Sequence, residues 1–149
     1  MAVKDADIRL VRESLPKIRA RLVPASMTFY ENMFTIEPQL RVLFRPDLAS
    51  QGMRFMSTLA TIADLLGDAE ALGPELDGLA KAHARVGVRT AHFTPMGMAL
   101  MVTLAETIQE EFTPQLQEAW HAAYDYLAAE MIRRGNFQLH RPENLAKRC

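Results

Sequence analysis

A histidine in an apolar helical stripe is the feature that most constrains this chain. Residues 74–104 place four side chains at i, i+3, i+7 and i+10, on one helical face: Leu76, Leu79, His83 and Val86. Such a face packs against a core, so the imidazole of His83 needs polar partners there. Two explanations are open: a neutral core histidine with both ring nitrogens hydrogen-bonded, or a metal ligand whose other N–H is held by a backbone carbonyl.

Composition narrows the class of protein. A chain of 149 residues with 49% hydrophobic and 23% charged residues is expected to be one domain, 1–149. The net charge of −1 and scattered Lys and Arg predict no nucleic-acid partner. The start, MAVKDADIRL, lacks the apolar run of a signal peptide, and no 18-residue apolar stretch follows, so we expect a soluble cytoplasmic protein without a membrane partner. Because Cys149 is the single cysteine, no intramolecular disulfide is expected.

Helical periodicity runs along the whole chain, without alternating β-branched strands or a glycine-rich phosphate loop. Thr94-Pro95 and Thr113-Pro114 are each a hydroxyl cap followed by a helix-starting proline. Residues 67–74 read as a polar loop, with the next helix beginning at about Glu75. The last helix is expected to end at Gly135, leaving 136–149 as a loose tail. The pattern predicts an all-α fold whose helices cross at steep angles.

Two motifs resemble those of globins. In HARVGVRTAHFTPMGMALM the match is the haem-ligating histidine, His83, followed by Gly87-Val88 and by an aromatic at Phe93. The second motif is MTFYENMFTIEPQLRVLF, from Met27 to Phe44. The resemblance covers about residues 8–131 and is closest to single-domain bacterial globins and to the globin half of flavohaemoglobins. It implies a globin fold of about seven to eight helices around a haem pocket holding haem b, iron protoporphyrin IX.

The resemblance also implies roles for particular residues. His83 is expected to be the axial metal ligand and Phe44 the aromatic that wedges against the porphyrin. Four further residues should line the slot: Leu79, Val88, Phe93 and Met98. The alternative for these residues is a place in the ordinary hydrophobic core. On the opposite side of the ring Tyr30, in the frame FYENMF, matches the family's distal tyrosine and is expected to donate a hydrogen bond to bound ligand. The alternative for Tyr30 is a phenol bonded to a neighbouring carbonyl.

A second distal residue is expected from the helix that follows Ser50, in one of two registers. Alignment by helix face gives Gln51 as donor and turns four apolar residues inward: Phe55, Leu59, Ile62 and Leu66. Ungapped alignment from Phe44 instead gives Arg54 and Thr58. We prefer Gln51, which leaves Arg54 near the haem edge, where a guanidinium can pair with a propionate.

The chain departs from flavohaemoglobins behind the proximal histidine. That family carries a tyrosine and a glutamate there, and the glutamate makes the histidine a stronger electron donor. The corresponding positions here are Phe93 and Gly135. Because the sequence also ends where a reductase domain would begin, turnover is expected to depend on a separate reductase.

The leading functional hypothesis is therefore reversible binding of dioxygen, as in oxygen transport, at a pentacoordinate or weakly hexacoordinate iron, with CO and NO as further diatomic ligands. The alternatives are nitric oxide dioxygenase or peroxidase-like activity with a separate reductase, a haem-based redox or gas sensor, and a haem-free helical module. The remaining histidines, His92, His121 and His140, have no histidine or cysteine at i+3 or i+4 that would pair with them as metal ligands. A bacterial protein that is a monomer or homodimer is expected.

Overall fold

The computed structural model describes residues 3–43, 48–85 and 87–135, with the backbone alone at residues 48–53 and 55. This part of the chain forms six α-helices and three short 3-10 helices, and it contains no strand. The α-helices are α1 (Asp5–Ala20), α2 (Leu22–Ile36), α3 (Leu48–Asp64), α4 (Ala69–Arg85), α5 (Phe93–Ile108) and α6 (Pro114–Gly135). The 3-10 helices span Pro38–Leu43, Thr90–His92 and Gln109–Glu111. The predicted all-α fold is confirmed. Phe44 and residues 136–149 lie outside the described ranges.

Side-chain caps explain where two of the helices begin. At α6 the Leu116 N–H donates to the Thr113 hydroxyl at 3.2 Å, as the Thr-Pro pattern predicts. At α4 the Ala71 N–H donates to the Asp68 carboxylate at 3.2 Å, so the helix begins at Ala69. The predicted start at about Glu75 is therefore wrong.

Two prolines occupy other positions in their helices than the sequence predicted. Pro74 lies inside α4, where it removes one backbone donor without ending the helix. Pro95 lies in the first turn of α5, which begins at Phe93, before the Thr94-Pro95 pair.

The helices pack in pairs around one buried core. α2 packs against α5 and α3, α1 packs against α6 and α3, and α4 packs against α6. Trp120 is 1% exposed, and its indole N–H donates to the Ser14 hydroxyl at 3.0 Å, which joins α6 to α1. Within the described ranges, no helix has both the length and the apolar content needed to cross a membrane.

Candidate functional site

A cavity of about 300 Å³ lies where α4 diverges from α2 and α3. α4 packs on α6, and its contacts with α2 and α3 are sparse, so space remains between these elements. The described wall of the cavity is almost entirely apolar. Its residues are Tyr30, Arg54, Thr58, Leu59, Ile62, Leu76, Leu79, His83, Phe93, Met96, Tyr124, Leu127, Ala128 and Met131.

His83 lies in the last turn of α4 and faces this cavity. Its Nδ1 is 2.8 Å from the Leu79 carbonyl oxygen, four residues earlier. Because a carbonyl only accepts, Nδ1 must carry the proton, and Nε2 keeps its lone pair. Burial lowers the pKa of His83, while the bond to Leu79 opposes that effect. The imidazole is therefore neutral near pH 7, in the tautomer that a metal ligand requires. Among the described residues, the hydrogen bond of the His83 ring is made by Nδ1.

Phe93 and Tyr124 support the imidazole from the next two helices. The Phe93 ring stacks on His83 with centroids 6.3 Å apart and planes inclined by 21°. The Tyr124 hydroxyl donates to the Phe93 carbonyl at 2.7 Å. Its ring lies directly against Gly97, since a Cβ at that glycine would be 2.6 Å from Tyr124 Cε2. The sequence carries no local pattern that would predict this contact between Tyr124 and Phe93.

Tyr30 reaches the same cavity from α2 and is 3% exposed. Its ring stacks on Phe34 at a centroid distance of 5.9 Å and packs on Phe29 at 5.6 Å. Burial raises the pKa of Tyr30 to about 12, and the nearby charge of Arg54 partly opposes that rise. The phenol is therefore protonated at physiological pH and can act as a hydrogen-bond donor.

α3 supplies four residues to the described wall: Arg54, Thr58, Leu59 and Ile62. Leu59 and Ile62 face inward as the preferred register predicts, and Leu66 is buried. Arg54 and Thr58, the pair from the ungapped alignment, also reach the cavity. The side chains of Gln51 and Phe55 lie outside the description.

Two of the predicted lining residues, Met98 and Val88, are not among the described residues of the cavity wall. Met98 is 52% exposed, and Met96 takes the place in the cavity wall that the sequence assigned to Met98. The reason is helical geometry, because two residues along α5 turn a side chain by about 200°. Val88 is buried but does not contribute to the described wall, whereas Leu79 and Phe93 do.

Comparisons with known proteins agree with this architecture. A family model described as Globin matches residues 27–131. The flavohemoprotein of Vibrio cholerae serotype O1 is 27% identical over 142 residues, which are 93% of this chain and 36% of the relative. That of Bordetella parapertussis is 30% identical over 128 residues, 84% of this chain and 32% of the relative. That of Deinococcus radiodurans is 29% identical over 126 residues, 83% of this chain and 31% of the relative.

The match of the family model to most of the chain, together with the helical fold, defines the class: this chain belongs to the globin family. The membership of the globin family that the motifs around His83 and Tyr30 indicated is thereby confirmed. The chain spans about a third of the length of these curated relatives.

Proposed function

We propose that this chain binds haem in the cavity between α2, α3 and α4 and uses it to bind dioxygen and other diatomic ligands reversibly. The observation that carries the proposal is the geometry of His83. Its Nδ1–H is committed to the Leu79 carbonyl at 2.8 Å, so Nε2 is the ring nitrogen left to coordinate a metal at the apolar cavity.

The residues present fit a haem. A flat apolar macrocycle needs a largely apolar slot, and the described wall carries few polar groups. The volume of about 300 Å³ lies at the lower end of the range for ligand pockets. The chain has one cysteine, Cys149, and therefore no C-x-x-C-H motif for covalent attachment. We accordingly propose non-covalent haem b, iron protoporphyrin IX.

Each residue then has a distinct task. The iron of a bound haem supplies the ability to bind diatomic molecules such as O2, CO and NO. His83 holds that iron in place through Nε2, and Phe93 orients the imidazole by stacking on it. Tyr30 offers its hydroxyl proton to a ligand within the cavity. Gln51 stays the predicted second donor and Phe44 the predicted wedge.

The test is haem uptake by the purified chain, followed by absorption spectroscopy, with variants of two histidines. His83→Ala should abolish stable haem incorporation because the apolar slot alone provides no coordinate bond. His92→Ala is the matched control. That ring accepts a hydrogen bond from the Arg89 N–H at 3.0 Å and is absent from the cavity wall described above. A His83→Ala protein that binds haem as tightly as the wild type would refute the axial assignment.

The relatives support a second candidate function. Their name, flavohemoprotein, couples a flavin with a haem. The alternative function is a nitric oxide dioxygenase activity that receives electrons from a separate reductase. Against it, Phe93 offers no side-chain hydrogen bond to His83, and the described cavity wall contains no carboxylate. Addition of NO to the O2-loaded protein in air-saturated buffer distinguishes the two functions. Sustained NO consumption with an added reductase supports the enzyme, and a single stoichiometric turnover supports the binding protein.

A further inference from the structure

Two large apolar side chains lie exposed next to each other on α5. Met98 is 52% exposed and Val102 is 43% exposed, and one helical turn separates them, so they share a face. Thr94 and Ala105, one turn before and one turn after this pair, are exposed on the same face. No charged residue occurs between residues 93 and 105. These four side chains therefore form an uncharged strip about 16 Å long, the α5 strip.

The α5 strip faces away from the cavity. Met96, which lines the cavity, is two residues from Met98, and two residues turn a side chain by about 200°. α2 meets α5 on another side, where Asn32 Nδ2 donates to the buried Thr103 hydroxyl at 3.1 Å. Within the described ranges the strip is left in contact with solvent. Single exposed apolar side chains are ordinary, whereas an adjacent pair on an uncharged strip is suited to association.

Opposite charges flank the α5 strip. The preceding segment, 78–93, has no acid and three Lys or Arg residues: Lys81, Arg85 and Arg89. The following segment, 106–118, has no Lys or Arg and four acids: Glu106, Glu110, Glu111 and Glu118. Among the acids elsewhere, Glu37 acts on the positive end, where its charge reaches His92. The dipole of α5 has the same direction as these charges, because the N-terminal end of a helix is partially positive.

Arg89 and Glu110 are available to a partner at the two ends of the strip. Both are exposed, and neither forms an ion pair with another residue of the described ranges. Glu111 instead forms an ion pair within the chain, and Glu106 accepts a hydrogen bond from Asn32 at 2.9 Å. The strip thus has one unpaired cation near its start and one unpaired carboxylate near its end.

We infer that the α5 strip is the interface of a homodimer in which α5 of one copy packs antiparallel to α5 of the other. A twofold axis between Met98 and Val102 places Met98 of each copy against Val102 of the other. The same register brings Arg89 of each copy close to Glu110 of the other, because the midpoints of both pairs coincide to within about one residue along the chain. A parallel arrangement would instead bring like charges together.

A second copy is the partner that these charges favour. A helix that pairs with the strip needs an uncharged centre, and its charged ends must follow the opposite order. α5 has that pattern when it is reversed, so one sequence provides both ion pairs by symmetry. The inference goes beyond the proposed function and does not depend on it, because the strip and the cavity wall lie on different sides of α5.

The experiment measures the mass of the purified full chain by sedimentation equilibrium over a dilution series. A reducing agent keeps Cys149 from forming an intermolecular disulfide. Met98→Glu and Val102→Glu each place a charge at the centre of the interface. Each variant should raise the dissociation constant of the dimer by about ten-fold or more, because the new carboxylate would be buried without a partner. Unchanged helical circular dichroism shows that the variants fold.

Val23→Glu is the matched control, because it makes the same change at an apolar residue that is 61% exposed on another helix. Val23 lies two residues after Arg21, whose Nη1 donates to the Thr107 carbonyl on α5 at 2.7 Å. Val23 is therefore on the side of α2 turned away from α5. Its substitution should change the dissociation constant by less than about two-fold.

Exchange of the two charges tests the antiparallel register. Arg89→Glu and Glu110→Lys should each weaken the dimer by about three-fold or more, because each places like charges opposite one another. The double variant restores opposite charges and should recover most of the wild-type affinity. Sodium chloride should weaken the wild-type dimer by screening both ion pairs.

Four results would overturn the inference. A wild-type chain that stays monomeric throughout the dilution series has no such interface. A dimer that Met98→Glu and Val102→Glu leave intact uses another surface. A double charge variant no tighter than the single variants excludes this register, and a dimer that disappears on reduction is a Cys149 disulfide. Haem-free protein should dimerise as haem-loaded protein does, so a failure of haem uptake refutes the proposed function alone.

Discussion

The hydroxyl of Tyr124 on α6 donates a 2.7 Å hydrogen bond to the backbone carbonyl of Phe93, the first residue of α5. Because the Phe93 ring stacks on His83, this bond links α6 to the imidazole through two contacts. The start of α5, and with it one side of the proximal histidine, is fixed by a residue 31 positions away in the sequence.

Removing that hydroxyl should weaken both the fold and the support of His83. Tyr124→Phe keeps the ring and loses one hydrogen bond, so the free energy of unfolding should fall by about 0.5–1.5 kcal/mol. Urea unfolding measures the loss. Tyr126→Phe is the control, since that residue is half-buried on the same helix and absent from the described cavity wall, and it should change stability by less than about 0.5 kcal/mol. Equal stability of Tyr124→Phe and wild type would show that the bond contributes nothing.

Two glycines provide a matched test of packing around Tyr124. A Cβ at Gly97 would lie 2.6 Å from Tyr124 Cε2, so Gly97→Ala must displace the aromatic ring and should destabilise by about 1–3 kcal/mol. A Cβ at Gly78, on the exposed side of α4, meets nothing within 4 Å. Gly78→Ala should therefore stabilise by about 0.5–1 kcal/mol through helix propensity alone. Thermal unfolding of both variants measures the difference, and the same sign in both would contradict this packing argument.

The sequence predicted the elements of this site better than their details. Helical periodicity predicted the all-α fold. The resemblance to globins assigned His83 and Tyr30 to one pocket, and both residues line the described cavity wall. The predicted start of α4 at about Glu75 was wrong because the sequence pattern made Pro74 the end of the preceding loop. Asp68 in fact caps the helix ahead of that proline. A proline does not end a helix when a cap and tertiary packing support the preceding turn.

Other features depend on contacts that no local pattern records. Met96 and Met98 are both apolar, and the side that faces the core is set by the rotation of α5 against α2. The hydrogen bond between Tyr124 and Phe93 joins two helices, and the local sequence of neither helix predicts that they meet at this point. The place of Arg54 in the cavity wall depends on how α3 lies against α2.

Tyr30 should control the rate at which dioxygen leaves. A hydrogen bond to an acceptor with partial negative charge is worth about 1.5–3 kcal/mol, so Tyr30→Phe should speed dioxygen dissociation by roughly ten- to a hundred-fold. Carbon monoxide, whose outer oxygen carries little charge, should dissociate at nearly the wild-type rate. Stopped-flow measurements on the haem-loaded protein give both rates, with Tyr126→Phe as the control. An unchanged dioxygen rate would exclude the phenol from ligand binding.

The same residue should make the fold sensitive to alkali. Burial raises the pKa of Tyr30 to about 12 from an ordinary value of 10.0. A folded-state pKa above the unfolded value gives stability that is fully present below about pH 10 and is lost as the pH rises toward 12. In Tyr30→Phe this alkaline loss of stability should be smaller. Part of the remaining loss comes from Tyr124, because burial raises its pKa as well. Urea unfolding at several pH values compares the slopes, and identical slopes would contradict the buried assignment.

Arg134 joins the last turn of α6 to the first half of α4. Its Nη1 donates to the Asp77 carboxylate at 2.8 Å and to the Gly73 carbonyl at 3.3 Å, and its Nε donates to Glu130 at 3.2 Å. Arg133 also donates to Glu130, at 2.6 Å. The bonds from Arg134 to Asp77 and Gly73 join the two helices whose side chains Leu76, Leu79, Leu127 and Met131 line the cavity, and the bonds to Glu130 hold the arginines within α6.

Glu130→Gln should therefore lower stability by about 0.5–1 kcal/mol near neutral pH, the range for a partly exposed ion pair in a network. The hydrogen bond from Arg133 is the main reason that the pKa of Glu130 lies below its ordinary value of 4.5, while burial opposes the shift. A lowered folded-state pKa gives stability that is present above about pH 4.5 and is lost as the pH falls through the folded value. The difference between wild type and Glu130→Gln in urea unfolding should thus shrink below about pH 4.5 and in high salt.

Asp125→Asn is the control, because its contact with His121 is exposed and 4.0 Å long and should contribute almost nothing at any pH. A difference between wild type and Glu130→Gln that stayed constant from neutral to acid pH would mean that the charge of Glu130 plays no part in joining α4 to α6.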